Sequence, residues 1–529
     1  MSKRLLLDRP VIATVIPDLG IAFSRFSERE GRLYVHFKIH QSVPGYSINL
    51  VLERRSGGER VCLPLQHKNG ELQTALPDLT AYGDVARFDL WLEGKNATAR
   101  WRVIAAQMPE DPRHFFVLEK EEQSVSAYLT DTERSIALFV APAGAHAQTV
   151  AAEEAKLAFK KFLRDLPVMD NLVFFESFLG KAYAGNPRFI YEQLLKSYPS
   201  LEFVWSYTGE LTIPGNPTVV RRGSLEYYWW LAQAKYRVNN VIFPVHGKKP
   251  ETIYLQTWHG TPLKRLSFDI EVDGPEAKAR DNFYQESRDW TVLLSENAYS
   301  TEIFRRAFRY DGHVLEAGYP LSDDLHHPDE RRIVEIKEQL RLPSGKRFIL
   351  YAPTWRDHKA IKPWQHAFDL QLDLARFCGS LASDQVLLIK AHHLVSERLN
   401  QAELPNNAID LSCIDDVNEL CVISDVLITD YSSVFFDFAV SNKPILFFCY
   451  DLEQYSSEIR GFYLDVLHDL PGPVAFTTEE LIALFEVLPD VTKDYAGRYA
   501  KFRQRFCALN DGHATRRVVD AVFGLASEP

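Results

Sequence analysis

The sequence predicts an α/β protein in which a small all-β module precedes two domains built on parallel sheets. From residue 171 onward, short apolar runs alternate with helical patterns, which is typical of parallel sheets wrapped by helices. Before residue 142, short runs of alternating apolar and polar residues are separated by Gly, Pro and Asn. That spacing indicates a β-sandwich-like module.

Composition narrows the class of protein. The 529 residues are 46% hydrophobic and 25% charged, as in ordinary globular proteins. The formal net charge of −11 argues against sequence-independent nucleic-acid binding, which needs a basic surface. The six cysteines are scattered without a CxxC pair, which favours a reducing cytoplasm. We find neither a signal-peptide pattern nor an apolar run of the ~20 residues that a membrane span requires.

We predict four segments: an all-β accessory module (1–142), a linker helix (143–168), a first αβ domain (169–330) and a second αβ domain (331–529). The linker carries Leu157, Phe159, Phe162 and Leu163 among basic residues. Such a helix could lie peripherally on the inner leaflet of a membrane. Packing of its apolar side on a neighbouring domain is the favoured alternative, because such faces are usually directed to a core.

The expected strands of the αβ domains end at one edge of each sheet, where ligands bind in doubly wound folds. The chain has neither a GxGxxG nor a GxxxxGK[ST] motif, so it is not predicted to carry the usual dinucleotide fingerprint or a P-loop. The predicted strands are residues 172–175, 203–205, 241–243, 253–255 and 292–294 in the first domain, and 348–351, 386–389, 426–428 and 445–448 in the second.

The most informative strand end is the turn after residues 253–255. It presents His259, followed by Gly260 and Pro262, which favour a rigid turn. A histidine can take and give a proton near neutral pH. The turn therefore predicts a base at the sheet edge, although a tight turn with a structural histidine fits equally well.

Two strand ends in the second domain carry polar groups. One presents Pro353 and Thr354, and another presents Lys390 and His392. The adjacent His393 is expected on the opposite face of its strand, so one of the two histidines is expected to be a core residue. No carboxylate-rich cluster accompanies these histidines, so no metal site is inferred.

A third strand of this domain ends at Ser432 and Ser433, which occupy N-cap positions before a helix. A helix start with such caps can bind an anion such as pyrophosphate. Asp437 lies one turn further and could hold a hydroxyl on the same face. An ordinary capped helix is the alternative.

Four segments together resemble the CDP-glycerol glycerophosphotransferase family, whose members make teichoic acids and related capsular polymers. The similarity covers about residues 170–525. It rests on Phe-Glu-Ser-Phe-Leu-Gly-Lys (175–181) with Asn-Pro-Arg (186–188), Gln-Thr-Trp-His-Gly-Thr-Pro-Leu-Lys-Arg-Leu (256–266), Leu-Tyr-Ala-Pro-Thr-Trp-Arg-Asp (350–357) and Asp-Val-Leu-Ile-Thr-Asp-Tyr-Ser-Ser-Val-Phe-Phe-Asp-Phe (425–438).

The resemblance implies a GT-B-like pair of Rossmann-type domains. It also implies transfer of an alditol phosphate from CDP-glycerol or CDP-ribitol to a polymer or lipid-linked acceptor, with release of CMP. No cofactor is required, and Mg²⁺ is not excluded. His259 and His392 would be catalytic. The implied donor-binding residues are Gly260, Thr261, Pro262, Leu263, Pro353, Thr354, Lys390, Ser432, Ser433 and Asp437.

Two departures from the family pattern leave the alditol open. The Gly-Tyr-Pro-Leu-Ser-Asp stretch (318–323) lacks an arginine and an asparagine that the family often has, and Lys390 stands where arginine is frequent. Lysine cannot reproduce the bidentate fork of arginine. Two further functions stay open: a GT-B glycosyltransferase that uses a nucleotide sugar, and a catalytically silent polymer-binding assembly factor.

Overall fold

The structure, a computed structural model, divides the chain into two compact units: Met1–Glu153 with Lys362–Trp364, and Glu154–Ile361 with Gln365–Pro529. None of the helices in the described part of the chain combines the length and hydropathy that crossing a bilayer requires. The described residues are 15–16, 21–29, 32–39, 48–54, 59–68, 70–79, 86–94, 100–103, 116–119, 123–129, 135–142, 145–271, 280–354, 360–362, 365–366, 371–391, 404–455 and 461–524.

The first unit contains two antiparallel sheets, with strand orders β1-β2-β3-β7-β6 and β10-β11-β12-β8-β4-β5, and with β9 paired to β8. One apolar core draws on both sheets, for example Val35 and Phe37 from the first and Leu50 and Phe88 from the second. The predicted all-β module is thereby confirmed, and its sheets are antiparallel. Its strands are β1 (Val15–Ile16), β2 (Ile21–Arg29), β3 (Arg32–Ile39), β4 (Ile48–Arg54), β5 (Arg60–Pro64), β6 (Gln66–Lys68), β7 (Glu71–Ala75), β8 (Ala86–Gly94), β9 (Arg100–Arg102), β10 (Phe116–Glu119), β11 (Gln123–Leu129) and β12 (Ile136–Pro142).

Helix α1 (Ala145–Asp165) covers most of the predicted linker. Phe159 is buried, and its ring centroid lies 5.8 Å from that of Tyr228 in the core of the second unit. Phe162 and Leu163 pack against the same core, whereas Leu157 is 71% exposed. The apolar side of this helix is therefore directed mainly to a core, as the sequence favoured.

The first parallel sheet of the second unit has seven strands in the order β15-β14-β13-β16-β17-β18-β19. Its strands are β13 (Met169–Glu176), β14 (Glu202–Ser206), β15 (Thr218–Val220), β16 (Ala234–Asn239), β17 (Ile253–Gln256), β18 (Val292–Ser295) and β19 (His313–Glu316). Its helices are α2 (Gly185–Ser197), α3 (Leu225–Gln233), α4 (Arg280–Ser287) and α5 (Ala298–Ala307).

One predicted strand of this sheet is wrong. Residues 241–243 lie in a loop, and β16 ends before them. The charged residues Lys235 and Arg237 interrupt the apolar pattern of β16, so the sequence does not indicate a strand there. Arg237 is nevertheless buried, because its guanidinium donates to the carbonyls of Leu231 and Gly247.

The second parallel sheet has six strands in the order β24-β23-β20-β25-β26-β27, with apolar cores on both faces. The α/β class with parallel sheets is thus confirmed. The strands from this part of the chain are β20 (Arg347–Ala352), the short β21 (Ala360–Lys362) and β22 (Gln365–His366), which pair with each other, β23 (Gln385–Ile389), β24 (Ala408–Asp410), β25 (Val426–Thr429), β26 (Ile445–Phe448) and β27 (Val474–Ala475).

The remaining helices include one that returns to the first parallel sheet. They are α6 (Asp323–His326), α7 (Glu330–Gln339), α8 (Leu374–Ser380), α9 (Val417–Ile423), α10 (Val434–Ala439), α11 (Leu452–Gln454), α12 (Thr478–Glu486), α13 (Leu488–Phe506) and α14 (Ala514–Phe523). In α14, Val518 and Phe523 join the core of the first parallel sheet, and the Tyr236 hydroxyl donates to the Phe523 carbonyl. The last helix therefore ties the two sheets together.

Candidate active site

A cleft of about 920 Å³ lies between the carboxyl ends of the two parallel sheets. Because strand ends of both sheets contribute to its walls, segments more than 150 residues apart in the sequence meet there. His392 and His393 lie outside the described residues. All the other predicted site residues line the cleft: His259, Gly260, Thr261, Pro262, Leu263, Pro353, Thr354, Lys390, Ser432, Ser433 and Asp437.

The His259 imidazole is held in a defined orientation. Its Nδ1 lies 2.6 Å from the backbone oxygen of Asn240, and its ring stacks on Trp258 with centroids 4.5 Å apart. The ring of Phe178 meets it edge-on at 6.1 Å. A carbonyl oxygen can only accept, so Nδ1 carries the proton and the lone pair of the neutral ring lies on Nε2. This tautomer suits a general base acting through Nε2.

Asn240, which the sequence analysis did not select, also secures the neighbouring turn. Its Oδ1 accepts from the Phe178 backbone N–H over 2.8 Å, and its Nδ2 donates to Ser177 Oγ over 3.1 Å. Phe178 and Leu179 have φ angles of 45° and 61°, a left-handed conformation that non-glycine residues rarely adopt. Such strained residues persist where surrounding structure holds them, often at functional sites. The available sequence signal is the Asn-Asn pair (239–240) at the end of β16.

Thr261 anchors the histidine turn from behind. Its buried hydroxyl donates to Glu296, which follows β18, and Asn510 Nδ2 donates to the other oxygen of Glu296 over 2.6 Å. Burial raises the pKa of Glu296 to about 7. The Thr261 side chain is therefore engaged with Glu296 behind the turn.

Gly260 brings the turn close to the second sheet. Its φ is 144°, and a Cβ at this position would lie 2.4 Å from Ser433 Oγ. A side chain would therefore collide with the serine. Further along, Leu263 is 2% exposed and belongs to a core of the second sheet, while its carbonyl accepts from the Tyr463 backbone N–H. The turn is fixed to both sheets.

The predicted capping role of the serines is wrong. Ser433 does stand at the N-cap position of α10, but its φ and ψ of −67° and −10° are already helical and its side chain makes no capping bond. Ser432 Oγ makes only a long contact, 3.4 Å, with the Val434 N–H. Neither hydroxyl is tied to a close capping bond at the helix start, and both residues face the cleft.

Lys390 makes hydrogen bonds to the protein that the sequence did not predict. Its ammonium donates to the carbonyls of Ser412 and Ile414 over 2.8 and 2.7 Å, and burial lowers its pKa. Two of its three N–H groups thus hold the loop that lines one wall of the cleft. The nearby Thr354 backbone N–H donates to the Asp430 carboxylate over 2.8 Å, which fixes the turn after Pro353.

Arg188, from the Asn-Pro-Arg segment, links α2 to the second sheet. Its guanidinium contacts Asp416 at 3.3 Å and Glu419 of α9 at 2.9 Å, while its Nε donates to Glu192. Asn186 lines the cleft, and its side-chain amide donates to the Thr257 carbonyl. This segment thus joins α2 to α9 and to the turn that carries His259.

One group of potential metal ligands occurs among the described residues: His246, Glu286 and Asp289, whose ligand atoms lie within 4.8 Å of one another. Protein groups already engage these atoms. His246 Nδ1 pairs with Glu286 at 3.1 Å, and Glu286 also accepts from the Phe243 N–H and the Tyr254 hydroxyl. Hydrogen bonds within the group and to neighbouring residues, including one from the Gly247 N–H to Asp289, account for the cluster.

Comparison with known proteins gives consistent matches over the second unit. The family model described as CDP-Glycerol:Poly(glycerophosphate) glycerophosphotransferase matches residues 158–524. The teichoic acid poly(glycerol phosphate) polymerases of Bacillus subtilis (strain 168) and Staphylococcus epidermidis are 41% and 40% identical, over 68% and 67% of this chain and 49% and 51% of their own lengths. The chain thus spans about half the length of these curated relatives.

A solved structure of the wall teichoic acid polymerase TagF aligns with a TM-score of 0.66 at 38% identity. The alignment covers 72% of this chain and 95% of that chain. The family model and these relatives confirm the resemblance found in the sequence motifs. The chain belongs to the CDP-glycerol:poly(glycerophosphate) glycerophosphotransferase family.

Proposed function

We propose that the chain transfers glycerol phosphate from CDP-glycerol to a terminal hydroxyl of a growing poly(glycerol phosphate) chain and releases CMP. The observation that carries this proposal is the orientation of His259, whose Nδ1–H is fixed on Asn240 at a cleft that Ser432 and Ser433 also line. A base at one wall and hydroxyl donors at the other match the needs of phosphoryl transfer, which are positioning, charge neutralisation and proton removal.

In the proposed step, the acceptor hydroxyl attacks the phosphorus that carries glycerol. A new P–O bond forms, the P–O bond to CMP breaks, and the hydroxyl proton passes to Nε2 of His259. Ser432 and Ser433 donate to the pyrophosphate, while His392 and the remaining N–H of Lys390 stabilise charge on the departing CMP. The proposed step requires no cofactor, and assays with EDTA or added Mg²⁺ test that requirement.

We propose the GT-B arrangement for the two parallel sheets. The cleft between their carboxyl ends and the return of α14 to the first parallel sheet support this description. In such a pair the second sheet binds the nucleotide donor and the first binds the acceptor. We also propose that the first domain of this pair spans residues 169–330 and the second spans residues 331–529.

Glycerol is the proposed alditol, and chain extension the proposed mode. Relatives named as poly(glycerol phosphate) polymerases match at 40–41% identity, whereas a poly(ribitol-phosphate) polymerase matches at 29% and a glycerol-phosphate primase at 28%. One TagF structure carries CDPG soaked into a variant, which supports the donor class. We place the reaction at the cytoplasmic face of the membrane, where nucleotide donors are made; the six free cysteines fit that compartment.

A donor screen tests the proposal. The full chain is incubated with a lipid-linked glycerol phosphate acceptor and CDP-glycerol, CDP-ribitol or a nucleotide sugar, and nucleotide release and product length are measured. We expect CMP release and lengthening products with CDP-glycerol, and at least about tenfold slower turnover with CDP-ribitol. Faster turnover of a sugar nucleotide would show a glycosyltransferase. Binding without turnover of any donor would show an assembly factor.

A further inference from the structure

Asp437 is a buried acidic residue among those that line the cleft. It is 9% exposed on α10, and among the described residues its Oδ1 is buried without a hydrogen-bond partner. A buried carboxylate normally accepts from N–H groups or pairs with a cation, since an isolated charge is costly to desolvate. The environment therefore disfavours the ionised form.

The titratable groups around Asp437 also disfavour its ionised form. Glu296, at the end of β18, and Asp416, just before α9, both act on it as carboxyl groups, and burial together with these neighbours raises the pKa of Asp437 well above its usual range. Among the described residues, other titratable groups that interact with it include Tyr319, Cys421 and Cys507. None of these five supplies a positive charge.

The ligand proposed for the cleft makes an ionised Asp437 still less favourable. Ser433 and Asp437 are four residues apart across the first turn of α10, so they lie on similar sides of that helix. If the serines bind a pyrophosphate, its negative oxygens approach the carboxyl group. A carboxylate would repel them, whereas a carboxylic acid could donate its proton in a hydrogen bond.

We propose that Asp437 presents a carboxylic acid O–H to the cleft and donates a hydrogen bond to an anionic oxygen of the CDP-alditol pyrophosphate. This role reverses the sequence expectation, in which Asp437 is a carboxylate that accepts from a donor hydroxyl. The inference rests on the proposed function only for the presence of a cytidine diphosphate group in the cleft.

The test measures CDP binding to the full chain at pH 7 by calorimetry for the wild type, Asp437→Asn and Asp437→Ala. Asparagine keeps an N–H donor without the acidic proton, so Asp437→Asn should bind CDP within about threefold of the wild type. Alanine removes the donor and should weaken binding at least about tenfold, as expected for a hydrogen bond to a charged group. Asp384→Asn, at an exposed pair with Arg347, makes the same side-chain substitution away from the cleft and is the control.

Three results would overturn the proposal. Binding at least tenfold tighter in Asp437→Asn would reveal an ionised carboxylate that repels the ligand. Equal weakening in both variants would show that a carboxylate acceptor is needed. Uptake of one more proton by the wild type than by Asp437→Asn, measured in buffers of different ionisation enthalpy, would show that the free site is ionised.

The same measurements separate this role from the proposed function. A wild type that binds CDP but releases no CMP from CDP-glycerol contradicts the proposed function and leaves the Asp437 comparison valid. A wild type that does not bind CDP contradicts both. Because Asp437→Asn conserves shape and donor capacity, it keeps the comparison decisive even if Asp437→Ala unfolds.

Discussion

The backbone oxygen of Asn240 accepts a hydrogen bond from Nδ1 of His259 over 2.6 Å. Nineteen positions separate these residues, and the bond joins the segment after β16 to the turn after β17. A carbonyl partner is what a histidine base needs, because it fixes the tautomer without adding charge. The side chain of Asn240 meanwhile holds Phe178, so one residue orients the base and the wall beside it.

Replacing His259 by alanine should remove the proposed base. We expect turnover to fall ~10²–10⁴-fold, the range for loss of a general base, with an unchanged melting temperature. CMP release from CDP-glycerol measures the effect. His468→Ala is the matched control, since His468 is exposed and pairs with Asp465 outside the cleft. Near-normal CMP release in His259→Ala would remove this residue from the mechanism.

Changes at Asn240 should act through His259 and the Phe178 turn. Asn240→Asp keeps an acceptor for the Phe178 N–H but loses the donor to Ser177, whereas Asn240→Ala loses both. We expect kcat to fall in that order, with Asp the milder change and little effect on donor KM. The pH profile of kcat should also shift, because displacement of the Phe178 turn changes the surroundings of the imidazole, which keeps its backbone partner at residue 240.

Asn407→Ala controls for loss of a half-buried amide hydrogen bond, because Asn407 donates to the Cys378 carbonyl and is not among the residues that line the cleft. A loss of stability at Asn240 with an unchanged pH profile would reduce that residue to a structural role.

The sequence predicts the fold well wherever apolar runs are continuous. Strand β17 and its turn are predicted correctly because Ile253, Tyr254 and Leu255 precede Gly260 and Pro262. Strand β16 is not predicted, because Lys235 and Arg237 interrupt its apolar pattern. Local pattern thus succeeds where burial and hydrophobicity coincide, and fails where a charged residue is buried with backbone partners.

The site was predictable in position more than in detail. The residues that end parallel strands meet at the cleft, as topology requires. The partners of Lys390, however, are carbonyls at Ser412 and Ile414, and those of Thr261 lie behind the turn. Such contacts depend on loop conformation and on distant segments, which local sequence does not specify.

The serine pair should bind the donor rather than the acceptor. Replacing Ser432 and Ser433 together by alanine removes two hydroxyl donors and should lower kcat/KM for the donor at least about tenfold. Initial rates over a range of donor and acceptor concentrations measure the effect. Ser380→Ala is the control, because Ser380 donates to the Phe377 carbonyl and does not line the cleft. An effect confined to acceptor KM would contradict the assignment.

Removal of the β module should leave the second unit folded, provided that α1 is kept. A truncated chain that begins at Ala145 retains Phe159, which is 1% exposed in the core of the first parallel sheet. A chain that begins at Asp170 loses this ring. Loss of a buried phenylalanine side chain costs about 3–5 kcal/mol, so the shorter chain should be less stable.

Denaturant unfolding and CDP binding compare the two truncated chains. We expect the chain from Ala145 to bind CDP like the full chain. Equal stability of both would contradict the structural role of α1, and aggregation of both would make the β module part of the catalytic body.

Glu296 should make stability depend on pH. Burial raises its folded-state pKa to about 7 from an ordinary value of 4.5. Between these values the folded state holds a proton that the unfolded state has released, so stability falls as pH rises from about 4.5 to 7. Glu296→Gln removes this titration and keeps groups that can pair with Thr261 and Asn510. Unfolding free energies at pH 5, 6, 7 and 8 should therefore decline less in Glu296→Gln than in the wild type.

The control is Glu302→Gln on α5, an exposed position, which should leave the wild-type dependence of unfolding free energy on pH intact. The same pH dependence in all three proteins would show that Glu296 is already ionised in the folded state.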